Sequence, residues 1–152
     1  MRIPESPSMV LRITAGKLVG FAFGLLGFLV LPQILPDIDL LTRVGVLMWY
    51  PTMGVLVALT GVFDLHPFLA FRTPWWVRGP IIGAWMNFVL ACFMYETLEQ
   101  VLSALNLAQL SPFVLVFEGA LVGGLIGYVA TKVGGEGAQT LGLDSQVAPP
   151  AQ

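Results

Sequence analysis

The chain has little of what protein chemistry is usually built from. Of its 152 residues, one is a histidine, one is a cysteine, and only 11% are charged. A lone histidine excludes a bis-histidine haem site and a multi-histidine metal centre. A lone Cys92 cannot close an intrachain disulfide, and it leaves no thiol-rich metal pattern or Cys-x-x-Cys-His attachment. It lies within an apolar run, where a thiol packs as a small hydrophobe. No glycine loop leads into Lys-Ser/Thr, no His-Glu-x-x-His is present, and no serine sits in a nucleophile motif. Asp64 and His66 are the one pair that can serve as base and orienter, but His66-Pro67 reads first as a local turn. The expectation is therefore not an enzyme, with a membrane-lipid enzyme as the remote alternative, and no cofactor or metal. Seven basic against nine acidic residues give no basic surface for nucleic acid.

The scarcity of charge also excludes an ordinary soluble domain. Such domains carry about 25% charged residues, and this chain has too few to cover a surface. What it has instead is apolar length. Hydrophobic residues make up 57%, and the mean hydropathy is +0.85. Four apolar runs match the roughly 20 residues that cross a bilayer. The predicted fold is an all-α integral membrane protein, with four transmembrane helices as two hairpins joined by an interfacial cytoplasmic connector. Residues 1–14 read as an N-terminal interfacial segment, 15–133 as the transmembrane domain, and 134–152, rich in glycine and ending near Pro149 and Pro150, as a flexible tail.

The first span is expected over Gly16–Ile34. Arg2, Arg12 and Lys17 precede it, as basic residues precede a targeting signal. The run is longer than a signal core and lacks a small-x-small cleavage site, so it reads as a retained span. Arg12 is expected to face head groups. The second span, Val44–Phe63, is interrupted by Pro51, whose freed carbonyl Thr52 or a neighbouring helix should satisfy. Trp49 and Tyr50 read as an interfacial belt. The third begins near Pro80, a first-turn proline, and reaches Thr97 or Leu102, with Glu96 and Glu99 on one side of its far end. The fourth runs from Pro112 to about Lys132.

Two rows of glycine stand out. Gly16, Gly20 and Gly24 recur every four residues in the first span, and Gly119, Gly123 and Gly127 do so in the last. That spacing lines one side of a helix and lets another backbone come close, within the subunit or between copies. Intramembrane polarity is confined to Thr52, Thr60, Asn87 and Glu118. Asn87 calls for an interhelical hydrogen bond. Glu118 lies six residues past Pro112, roughly 9 Å along a helix. A carboxylate at that depth needs pairing, hydration or protonation, and Arg43 is its candidate partner.

Between the two hairpins lies the connector Asp64–Gly79, with His66, Phe71, Arg72, Trp75, Trp76 and Arg78. Its aromatics suit lipid chains near the head groups and its arginines suit phosphates. Recognition of a partner protein is the alternative. Arg2, Arg12, Lys17, Arg72, Arg78 and Lys132 fall on one side of the membrane and Arg43 alone on the other. The positive-inside rule then puts both termini and the connector in the cytoplasm, as in a bacterial inner membrane. Asp37, Asp39, Glu96 and Glu99 make the outer side acidic.

Two functions follow. The first is a non-catalytic accessory or assembly subunit of a membrane complex. It would pack through its glycine faces and its aromatic and arginine connector against another membrane protein or copies of itself, among membrane lipids. The alternative is a small homo-oligomeric cation channel or transporter using Glu118 and the acidic outer mouth.

Overall fold

A computed structural model describes residues 8–61, 73–137 and Thr140. The described residues are all-α: α1 (Met9–Ile34), α2 (Leu40–Thr60), α3 (Trp75–Phe93), α4 (Tyr95–Ala104) and α5 (Leu115–Gly134), the last preceded by one 3-10 turn at Pro112–Val114. Four segments are long and apolar enough to cross a membrane: α1, α2, α3, and Pro112–Gly134. The chain is a helical membrane protein.

Local chemistry sets the helix ends. Ser8 caps α1, its Oγ accepting from Leu11 N at 3.4 Å. The helix therefore starts a full two turns before Gly16, and Arg12 lies inside it. Asp39 caps α2 by accepting from Thr42 N at 2.8 Å and from the Thr42 hydroxyl at 2.5 Å. Those two bonds hold the Asp39 carboxyl below the usual carboxylate range, the hydroxyl contributing most. Ser111 caps the turn at Pro112, accepting from Phe113 N at 3.4 Å.

The third span differs from its expectation at both ends. Helix α3 starts at Trp75, capped by Pro74, so Trp75, Trp76 and Arg78 are helical residues and not part of a broken connector. Pro80 accordingly sits inside the helix and not in its first turn. At the other end the chain breaks at Met94, so the exposed Glu96 and Glu99 belong to the separate short helix α4. Residues 62–72, including His66, Phe71 and Arg72, lie outside the described residues.

The helices pair antiparallel in a fixed register. Along α1, a Cβ on Gly16 would meet the Gly54 carbonyl oxygen of α2 at 2.5 Å, one on Gly20 would meet Tyr50 O, and one on Gly24 would meet Leu47 O at 2.5 Å. Pro51 lacks the N–H that would bond the Leu47 carbonyl, four residues back. That carbonyl instead turns to Gly24, while Thr52 bonds Met48 O at 2.9 Å. The second pair repeats the device: Gly79 and Gly83 of α3 lie against Gly123 and Gly119 of α5. Backbones this close gain dispersion contacts where lipid provides no hydrophobic drive. Side chains fill the space between the pairs. The core is Val46, Tyr50, Met53 and Val57 of α2 with Val122 and Ile126 of α5.

Candidate functional site

Two polar centres lie in this bundle, one at the N-terminal end of α1 and the other level with the middle of α2, and each grows from a small-residue row. Arg12 stands four residues before Gly16, so it continues the row Gly16-Gly20-Gly24 that faces α2. Instead of facing head groups, its side chain is buried, 1% exposed. Nε donates to Ala58 O at 3.2 Å. Nη1 donates to Thr131 Oγ1 at 3.2 Å and also to Gly135 O. Ala58 belongs to the last turn of α2, and Thr131 and Gly135 to the end of α5. The last carbonyls of a helix lack intrahelical partners and carry partial negative charge. One planar guanidinium thus answers two helix C-termini. Glycine makes room for it: a Cβ on Gly61 would fall on the guanidinium, and one on Gly134 would meet Arg12 N at 2.6 Å.

The chain after α5 closes over this end. Ser8 N donates to Gly134 O at 2.9 Å, and Gly137 N donates to Gly61 O at 3.0 Å. Gly135 and Gly137 turn with φ of 79° and 81°, a region that favours glycine. Arg78 of α3 forms an ion pair with Glu136. So Arg78, weighed above as a lipid or partner contact, meets the chain's own C-terminal segment. Trp75 packs on Tyr128 with ring centroids 5.4 Å apart, and Trp76 is 62% exposed on the outside of α3.

The second centre is built around Asn87, fully buried and four residues beyond Gly83 in the α3 row. Trp49 Nε1 donates to Asn87 Oδ1 at 3.2 Å. An indole N–H only donates, which fixes the amide so that its nitrogen faces α5. Asn87 Nδ2 then donates to Leu115 O at 3.2 Å and to Glu118 Oε2. Tyr50 donates its hydroxyl to the same Oε2 at 3.1 Å. Trp49 and Tyr50, expected in an interfacial belt, are therefore members of a polar network drawn from α2, α3 and α5.

Glu118 has no basic partner among the described residues. The expected Arg43 contact is not made. Arg43 Nε donates to Phe28 O at 3.3 Å, and its guanidinium carbon lies 4.3 Å from the Phe28 ring centroid. Both bonds to Glu118 fall on Oε2, and Oε1 has no hydrogen-bond partner among the described residues. The carboxyl lines a half-open groove of about 320 Å³ between α1, α4 and α5. The other walls are apolar apart from the Tyr50 hydroxyl and Thr97, with Phe23, Leu26 and Val30 from α1 and Leu98 and Val101 from α4. Phe23 and Tyr50 stack at 6.3 Å with 28° between ring planes.

The six glycines singled out from spacing, Gly16, Gly20, Gly24, Gly119, Gly123 and Gly127, all line contacts within this one chain. Among the described residues no group of three His, Cys, Asp or Glu is placed to hold a metal. Comparison with protein-family models, with curated proteins and with solved structures returns no match to this chain.

Proposed function

We propose that this membrane protein works as a small cation-binding transporter with Glu118 as its binding group. The observation that supports this is a carboxyl group inside an apolar bundle, held at one oxygen by Tyr50 and Asn87 and, among the described residues, unbonded at the other and without a countercharge. Buried charge without a partner is costly and persists where a ligand completes it. The orientation that fits puts both termini inside, since Arg12, Lys17, Arg78 and Lys132 gather at one end of the helices and Asp37, Asp39, Glu96 and Glu99 at the other. Glu118 then lies toward the outer, acidic side, as in a bacterial inner membrane.

A fixed pore through one copy is not what this bundle offers. Between the two polar centres the core is closed by Met53, Ala58 and Ile126, each 0% exposed. Transport therefore requires either helix movement or assembly of copies. The test is cation uptake by proteoliposomes. Uptake that disappears in Glu118→Gln supports the reading, and equal uptake by both proteins ends it.

An accessory or assembly subunit is the second reading. It is supported by an exterior ladder of rings, Trp85–Phe88–Phe113–Tyr95, with successive centroids 6.0, 5.6 and 5.9 Å apart. A partner helix would meet this surface, because the glycine rows are filled by the chain's own helices. Mass analysis of the complex purified from native membranes tests it: a stoichiometric unrelated subunit favours this role.

A further inference from the structure

Resting on the cation-binding reading, we infer that the ligand of Glu118 is a lipophilic cation. It would be an amine or quaternary ammonium on an apolar chain or ring, entering the groove sideways from the bilayer. The groove has the two halves such a molecule needs. Its body is aliphatic and aromatic, and its lip is formed by Leu26 and Val30, which are 59% and 39% exposed on the outside of α1. Its polar end carries Glu118 as the one charged group among the described lining residues.

The chemistry at that end favours an organic cation over a divalent metal ion. Calcium and magnesium take six or more oxygen ligands. The lining offers only the Glu118 carboxyl and the hydroxyls of Tyr50 and Thr97, and the Tyr50 proton is already given to Oε2. A quaternary ammonium needs no hydrogen bond. It would meet the unbonded Oε1 by charge alone and leave the Tyr50 and Asn87 bonds intact. The stacked rings of Phe23 and Tyr50 add faces to which a cation is drawn. About 320 Å³ lies at the small end of ligand pockets, roughly 300–1,000 Å³. It suits one ring or one chain and is too small for a whole phospholipid.

The test uses the full chain in lipid nanodiscs, with octyltrimethylammonium as probe and its neutral analogue, carbon replacing nitrogen, as control. Binding is read by calorimetry and by Trp49 emission. The cation is expected to bind roughly tenfold or more tightly than the neutral analogue. Glu118→Gln should erase that preference while keeping the neutral analogue's affinity. Val30→Trp, which fills the lip, should weaken both. Equal binding of cation and analogue by the wild-type protein would overturn the inference and leave a groove for lipid chains. Absence of probe binding, together with Glu118-dependent proton or sodium uptake, would overturn it too while the cation-binding reading survives. If Glu118→Gln alters neither probe binding nor any uptake, both fall.

Discussion

Arg12 and Glu118 are both ionisable groups carried on apolar helices, and the bundle treats them in opposite ways. Arg12 is enclosed and meets three acceptors from the ends of α2 and α5. Glu118 is partly open and, among the described residues, satisfied at one oxygen only. A buried charge held by its own chain through both Nε and Nη1 is a structural joint. A charge left half met beside an open groove has capacity for something else. The contrast separates two roles that hydropathy alone treats as the same anomaly.

The largest effect should come from breaking the joint. Arg12→Met removes the donor to Ala58 O, Thr131 Oγ1 and Gly135 O together. Ala58 O keeps the bond it accepts from Gly61 N, which leaves two acceptors unmet; at about 1–3 kcal/mol each, a loss of about 2 kcal/mol or more is expected. Reversible unfolding in mixed micelles, followed by tryptophan emission, measures it. Arg12→Lys should recover only part, since an ammonium on a flexible stem cannot reproduce the planar fork. A fully stable Arg12→Met protein would mean that the helix ends hold together without their shared cation.

Next come the glycine rows that position both centres. A side chain at Gly20 or Gly83 would fall on the facing backbone, at Tyr50 or Gly119. Gly20→Val and Gly83→Val should each cost about 1–3 kcal/mol in the same assay. Gly45→Val is the control, since beyond its own stretch of helix no described atom lies within 4 Å of its would-be Cβ. Damage at Gly83 should also disturb the Asn87 network one turn away, whereas damage at Gly20 should act on the α1·α2 pair first.

At Glu118 the balance between stability and function should invert. Glu118→Gln keeps an acceptor for Tyr50, so unfolding should move by less than about 1 kcal/mol while cation binding is lost. Asn87→Leu should cost about 0.5–2 kcal/mol, as interhelical hydrogen bonds do, and shift Trp49 emission by removing its acceptor. If instead Glu118→Gln unfolded the bundle as badly as Arg12→Met, the two residues would be the same kind of joint.

The four spans were legible because apolar length needs no tertiary knowledge. The polar centres were legible only in part. Glu118 and Asn87 stood out by their depth, but their partners did not, because Trp49 and Tyr50 look like belt residues until the turn of α2 is known. Arg12 was misplaced by the habit of sending a flanking arginine to the head groups. The signal for it was present: it lies in the same four-residue row as Gly16, Gly20 and Gly24. Reading that row one turn further would have turned Arg12 toward α2. Asn87 follows Gly79 and Gly83 in the same way. The start of α3 was missed because Pro80 fits a first turn equally well. Only the backbone shows that Pro74 takes the capping position.

The smallest expected effect sits on the surface at the Glu118 end. Asp39 is exposed, and its carboxyl is held below the usual range, first by the Thr42 hydroxyl and then by the Thr42 amide. A lowered folded value means that the cap's ionic contribution is complete above about pH 3.9, the ordinary aspartate value. It is lost as pH falls through the lower folded value. Asparagine caps a helix comparably but does not titrate there. The stability advantage of the wild-type protein over Asp39→Asn should therefore hold steady at neutral pH and shrink only below about pH 4. Set beside the same curve for Glu118→Gln, that pair also isolates the buried acid. An acid transition that persists in Asp39→Asn and vanishes in Glu118→Gln would originate inside the bundle. One that vanishes in Asp39→Asn would belong to the cap, leaving Glu118 as a ligand-binding group without a stability role.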